Sequence, residues 1–256
     1  LWFFFKIISY NLFLTIFLLS NKTEQIYVRE KWSLRIILIL KFLGLLKNQV
    51  FFEAHDFKFK SQLLLNYCDK IIVINQQLKN VYSSIYSKPI LVSHDAVSSN
   101  ELTKYEFKET LNKQPNILYT GSFFKWKGVD LIIYAAKSLP NFNFLLIGGD
   151  NENYIRLNNF IIENNIKNVK LLHKINRKEL HKYYLNSDIL ILPNLDEKIN
   201  NWTSPLKLFE YMAVKRLIIA SNIESLREIL IHNHNSILFN PNIENDLVHK
   251  INFSVK

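Results

Sequence analysis

The sequence predicts an α/β fold of parallel sheets in two domains, and three observations carry that prediction. Short, β-branched apolar runs recur along the 256 residues without alternating with polar positions, the pattern of strands buried on both faces. Longer stretches with helical spacing separate most of these runs, as a parallel sheet covered by helices requires. A polar segment, SSNELTKYEFKETLNKQP at 98–115, carries no sustained apolar period and divides the series in two. The domains are accordingly read as residues 1–112, including the linker, and 113–256.

The first element, LWFFFKIISYNLFLTIFLLSN, is apolar but interrupted by Lys6, Ser9, Asn11 and Thr15. It reads as a buried helix of a globular domain; a membrane anchor, which needs about 20 mostly apolar residues, is the alternative. EQIYVRE follows as a strand, then KWSLRIILILKFLGLLK as a helix, either buried or resting on a lipid surface through its flanking cations. NQVFFEAHD, DKIIVIN and KPILVSHD complete the strands of the first domain. This half is too short to be a full copy of the second. The chain begins at Leu1 and its one methionine is Met212, so an internal fragment of a longer protein is expected.

The second domain reads as six strands: NILYTG, FNFLLIGGD, VKLLHKI, DILILPN, RLIIAS and NSILFNP. Four of the five glycines lie between Gly121 and Gly149, paired beside predicted strand ends, where close backbone or ligand approach is expected. After Gly121 and Ser122 a short turn carries Lys125 and Lys127, and a helix is predicted from Gly128 or Val129. Ligands of open α/β sheets bind at such strand ends, against the free N–H groups of helix starts. In NNWTSPLKLFEYMA, Ser204 suits an N-cap and Pro205 the first helical turn. Lys207 then stands where a capping box would place an acid, and a bound anion would reconcile both lysines with their positions. Leu206, Phe209 and Ala213 read as the apolar stripe of this helix. Glu210 falls at its edge, either salt-bridged or accepting hydrogen bonds from hydroxyl groups.

Composition narrows the partners. Lysine and arginine exceed acids by 32 to 22, and the formal charge of +10 favours an anionic ligand or surface. The aromatics lie within apolar strands and helices rather than among basic residues, which argues against nucleic acid. The single cysteine, Cys68, excludes an internal disulfide framework and a cysteine-rich zinc site, and a reducing compartment fits best. His232 and His234 lack a nearby acidic or thiolate set and read as loop residues rather than metal ligands.

With these residues in view, the second half resembles the donor-binding domain of the family 4, or group 1, retaining glycosyltransferases of GT-B architecture. The resemblance rests on YTGSFFKWKGVDLIIYAA, FLLIGGD, ELHKYYLNSDILILPN, TSPLKLFEYMA, IIASNIESLREIL and NSILFNP, in the family's order, covering 116–241. It implies two Rossmann-like domains, the N-terminal one incomplete, and transfer of a sugar from a nucleotide-diphosphate sugar to a hydroxyl acceptor. Under it Lys127 binds the donor diphosphate with the Gly121–Ser122 turn, and backbone amides around Ser204, Pro205, Leu206 and Lys207 hold the same phosphates. Glu210 accepts from the ribose, and Lys174 and Ile175 lie against the base. The first half matches less closely, through IYVRE, VFFEAHDF, YCDKIIVIN and VSHDAV. There the resemblance gives His55 a role toward the donor sugar and phosphate.

Trp202 stands where the family's E-x7-E motif has its first glutamate, which leaves the donor sugar open, and Ser122 replaces a frequent arginine. The resemblance implies no metal and no cofactor beyond the donor, and the sequence has no Asp-x-Asp pair. It implies a saccharide or lipid-linked acceptor, bacterial surface polysaccharide or lipopolysaccharide synthesis, and a cytoplasmic site at or near the inner membrane face. The alternatives are a GT-B enzyme that handles nucleotide sugars without transfer, such as an epimerase, and a non-catalytic fragment binding anions or a membrane surface.

Overall fold

The computed structural model describes residues 2–21, 23–98, 112–202, 204 and 206–255. The chain divides into two compact units, Leu1–His94 and Asp95–Lys256. Most of the polar segment read as the junction lies outside the described residues.

In the first unit, helix α1 (Trp2–Ser20) precedes β1 (Gln25–Val28), α2 (Lys31–Phe42) and β2 (Gln49–Ala54). Then follow α3 (Gln62–Leu65), β3 (Lys70–Val73), α4 (Gln76–Tyr82) and β4 (Ile90–Val92). The strands form one parallel sheet in the order β1-β2-β3-β4. The helix starts follow from local chemistry: Glu30 caps α2 by accepting from the Ser33 N–H at 2.8 Å, and Asn75 caps α4 by accepting from the Leu78 N–H at 2.9 Å.

Two expectations fail in this unit. Its strands are not buried on both faces: Ile26, Val28, Val50, Phe52, Ile71 and Val73 are buried, whereas Gln25, Tyr27, Gln49 and Lys70 between them are exposed. One face packs under Phe59 and Tyr82, whose rings lie 6.1 and 6.2 Å from that of Phe52. The opposite face is covered far less among the described residues. Nor is α1 a buried helix, since Phe5, Ile8, Leu12, Phe13 and Ile16 are all more than half exposed. It packs against α2, and among its described residues Asn11 and Leu18 are buried. Among the described residues no helix is long and apolar enough to cross a membrane.

The second unit contains β5 (Asn116–Gly121), α5 (Val129–Ser138), β6 (Asn143–Gly148), α6 (Asn151–Glu163), β7 (Val169–Leu172) and α7 (Arg177–Asn186). It continues with β8 (Ile189–Leu192), α8 (Leu206–Ala213), β9 (Leu217–Ser221), α9 (Glu224–Arg227), β10 (Ile237–Phe239) and α10 (Asp246–Phe253). All six strands are parallel, in the order β10-β9-β8-β5-β6-β7. Counted from β5, this is the doubly wound order whose direction reverses between the first and fourth strands. Each described strand of both sheets falls within an apolar run identified from the sequence.

The absence of alternation in this second sheet has a direct cause. Ile117 and Tyr119 enter one core with Val129, Ile132 and Leu146, while Leu118 enters the other with Leu190, Leu208 and Ile218. Successive side chains point to opposite faces, and both faces are covered. At the reversal point Ile117 pairs with Ile189 and Leu118 with Leu190, so the ends of β5 and β8 border the crevice where ligands of such sheets bind.

Candidate functional site

The site is built on the carboxyl ends of β5 and β6. Gly121 pairs with Gly148, and the Gly149 N–H donates to the Gly121 carbonyl at 3.1 Å. A Cβ on Gly148 would fall on that carbonyl, and one on Gly121 on the Lys207 ammonium. The two strand ends therefore lie closer than side chains permit, and a cleft of about 510 Å³ opens over them.

The cleft brings together Gly121, Ser122, Lys174, Ile175, Lys207 and Glu210 from the expected set. Lys127 is not on its wall. It ends the 3-10 turn Lys125–Lys127 with its ammonium 3.9 Å from the centre of the Trp126 ring, near enough for its charge to act on Lys207. Ser204 is half-buried and Leu206 is 56% exposed, and neither lines the cleft. Pro205 lies outside the described residues. Helix α8 begins at Leu206, and its buried positions are Leu208 and Tyr211. The expected stripe of Leu206, Phe209 and Ala213 is therefore displaced, because Lys207 and Glu210, three residues apart, turn one side of the helix toward the cleft.

Lys207 is the cationic centre. Its Nζ donates to the Thr120 carbonyl and lies 4.6 Å from the centre of the Tyr119 ring. Burial pushes its pKa down to about 7, the Lys127 charge adds to the effect, and Glu210 opposes it. Burial likewise lowers Lys127 to about 8. Two desolvated ammonium groups acting on one another form a field that an anion would relieve.

Glu210 forms the opposite pole. Its Oε2 accepts from the Tyr184 hydroxyl at 2.8 Å, and its Oε1 lies 3.2 Å from Nη2 of Arg177, with the glutamate side chain only 13% exposed. The Tyr184 oxygen lies 3.2 Å from Oγ1 of Thr120, which in turn lies 3.2 Å from the Tyr211 hydroxyl. The Thr120 N–H donates to Tyr211 at 3.1 Å. Burial raises both phenols well above their ordinary range, which keeps them neutral donors.

Sequence reasoning missed Thr120, Arg177, Tyr184 and Tyr211. For two of them a signal existed: Arg177, Leu180 and Tyr184 follow helical spacing immediately after the Lys174–Ile175 loop, and all three line the cleft.

His55 belongs to the first unit, just beyond β2. Its Nε2 lies 2.5 Å from Oε1 of Glu53 and 2.9 Å from Nη2 of Arg29, and Tyr27 donates to the same glutamate. Burial raises the Glu53 pKa, but these hydrogen bonds and the Arg29 charge outweigh it and leave the carboxyl below its ordinary value. His232 accepts from the Leu238 N–H through Nδ1 at 2.9 Å. Among the described residues no three His, Cys, Asp or Glu side chains converge in a group able to hold a metal ion.

A lysine-lined cleft over strand ends beside the reversal point of a doubly wound sheet suits a phosphorylated ligand. Residues 102–256 match the family model of the glycosyl transferases, group 1. The chain belongs to this family. This group 1 member is similar to an uncharacterized glycosyltransferase of Methanocaldococcus jannaschii, 30% identical over 186 residues, which span 72% of this chain and 48% of the relative. It thus extends over about half the length of that protein. Its fold is shared with the lipopolysaccharide outer core galactosyltransferase WaaB at a TM-score of 0.75 and 17% identity, covering 99% of this chain and 73% of that one. It is shared also with HepE of Anabaena, solved in complex with UDP-glucose, at a TM-score of 0.68 and 16% identity over 91% and 69% of the two chains. Its two parallel sheets are those of GT-B glycosyltransferases.

Proposed function

We propose that this group 1 glycosyltransferase is a retaining enzyme of family 4 that binds a nucleotide-diphosphate sugar in the β5–β6 cleft. The sugar passes to a hydroxyl of a saccharide or lipid-linked acceptor. The observation that carries the reading is the polarity of the cleft. Lys207, on which the Lys127 charge acts, and the Glu210 carboxylate face it from one side of α8, over the ends of β5 and β6 and beside the reversal point of the sheet. The cations and the N–H groups at the start of α8 stabilise the charge that develops on the departing diphosphate. Glu210 accepts from the ribose hydroxyls, the Gly121–Ser122 turn admits the phosphates, and Lys174 and Ile175 border the base. His55 keeps the sugar-side role that the resemblance gives it. No metal or cofactor is assigned, since the two lysines supply the positive charge. The WaaB likeness supports a place in surface polysaccharide or lipopolysaccharide synthesis on the cytoplasmic side of the membrane, and the HepE complex supports UDP as the first nucleotide to test.

Thermal unfolding with UDP, GDP and ADP tests this reading. One nucleotide present at about 100 times its Kd is expected to add roughly 2.7 kcal/mol, and Lys207→Ala, which removes the ammonium on the cleft wall, to lose most of that gain. A folded chain stabilised by none of the three would sink the proposal.

Contact with a membrane surface is a second part of the proposal, and exposed apolar groups favour it. Phe13 is 68% exposed on α1, Leu43 is 59% exposed just beyond α2, and Lys31, Arg35 and Lys47 are exposed in the same stretch. The chain is expected to sediment with anionic phospholipid vesicles at low salt, and Phe13→Glu to weaken that binding. Recovery of all the protein in the supernatant would rule this contact out.

A further inference from the structure

We propose that Thr120 and Tyr184 are positioning residues that lock the ribose-reading carboxylate and the phosphate-reading ammonium of the donor site into one frame. The inference rests on the nucleotide-sugar reading above and extends it to two residues of the cleft wall whose hydrogen bonds run to Glu210 and Lys207.

Counting protons fixes the direction of the hydroxyl chain. Glu210, as a carboxylate, only accepts, so the single Tyr184 proton is committed to Oε2 at 2.8 Å. The Tyr184 oxygen must then accept from Thr120 Oγ1 at 3.2 Å, which commits the Thr120 proton. Thr120 Oγ1 in turn accepts from Tyr211 at 3.2 Å, and the Tyr211 oxygen accepts from the Thr120 N–H at 3.1 Å. Only this assignment satisfies all four contacts, and every link in it is buried: Thr120 is 5%, Tyr184 1% and Tyr211 0% exposed. A chain of this kind in a dry interior orients its terminal acceptor firmly.

The same threonine holds the other pole. Its carbonyl accepts from the Lys207 ammonium. Thr120 is the last residue of β5 before Gly121, so its hydroxyl leads to Glu210 while its carbonyl leads to Lys207. Both poles are anchored to one residue of a strand paired on both sides, β6 on one and β8 on the other. The frame suits a ligand that presents a diol and a diphosphate at a fixed separation, as a nucleoside diphosphate does.

The test is a cycle between protein and ligand. Binding of UDP, GDP and ADP, each beside its 2′,3′-dideoxy counterpart, is measured for wild type, Tyr184→Phe, Thr120→Val and the double variant. Both substitutions keep shape and remove one hydroxyl, and Thr120→Val leaves the carbonyl that holds Lys207. Each single variant is expected to weaken binding of the preferred nucleotide about ten-fold and to leave the dideoxy form within about two-fold. The double variant should be no weaker than the stronger single one, because the links act in series. Equal losses for both ligands, no loss for either, or additive losses would overturn the frame while the donor reading stands. Wild type that binds a nucleotide without distinguishing the dideoxy form would overturn the ribose role of Glu210 and the inference with it. Wild type that binds none of the nucleotides would overturn the donor reading itself.

Discussion

Lys207→Met is expected to weaken nucleoside diphosphate binding by roughly 10- to 150-fold, the range of a hydrogen bond to a charged group. A nucleoside without phosphates should bind both proteins alike, because methionine keeps the apolar stem and removes only the cation. Isothermal titration of wild type and variant with UDP and uridine, or the preferred base, checks both statements. The pH dependence sharpens the result. Lys207 has its pKa pushed down to about 7 by burial and by Lys127, whereas an unfolded lysine titrates near 10.5. Between those values the unfolded chain holds a proton that the folded, unliganded chain has released, so this group makes stability rise with pH across the window. Below about pH 7 the full cost of burying the charge is present, and above 10.5 it is gone. A bound diphosphate favours the protonated form, so binding at pH 8 takes up protons, and affinity falls as the pH rises further. Titrations in two buffers of different ionisation enthalpy should show that uptake in wild type and its reduction in Lys207→Met. Lys127, lowered to about 8, contributes the remainder. Binding without proton uptake would mean that the buried ammonium does not meet the phosphates.

Gly148→Ala is expected to destabilise the second unit by about 3 kcal/mol or more, enough to remove a large part of an ordinary domain's stability. Gly148 has φ 133°, a conformation essentially reserved for glycine, and an added Cβ would occupy the position of the Gly121 carbonyl. Neither strand can yield, because Gly121 and Gly148 are partners in the ladder that carries the whole site. Gly44→Ala provides the control. Gly44 also has positive φ, 73°, but an added Cβ meets nothing within 4 Å, so only the backbone term of about 1–2 kcal/mol is expected. Urea unfolding of both variants separates steric collision from backbone strain. Equal losses would mean that the close approach of β5 and β6 contributes nothing.

Much of the site was legible in the order of residues because the forces that specify it are local. Gly121, Ser122, Lys174, Ile175, Lys207 and Glu210 stand at strand ends, in the following loops or on a helix start, and they share one cleft. The oddity of a lysine at the start of α8 was visible without any fold, since a helix start disfavours a cation unless an anion answers it. Lys127 shows where such reasoning stops. The sequence placed it beside the right strand end, yet its ammonium sits over Trp126 and acts on the cleft through Lys207. Where a long side chain carries its charge depends on the burial around it, which residue type and spacing do not specify. Helical spacing put Arg177 and Tyr184 on one face, but that they bond to Glu210, and Thr120 to Tyr184, was not legible, because these contacts form only when α7, α8 and β5 pack.

The same division runs through the architecture. Runs such as DILILPN and NILYTG determine strands by themselves, since short continuous apolar stretches rich in β-branched and aromatic residues favour the extended chain and leave no polar face for water. Parallel pairing follows from the helical stretches between them. Whether a strand is covered on one face or two is decided by the layers that gather around it. The second sheet is enclosed on both sides, whereas Tyr27 and, on α1, Phe13 and Ile16 remain exposed because burial depends on having a neighbour within reach, and neighbours are assigned by tertiary packing.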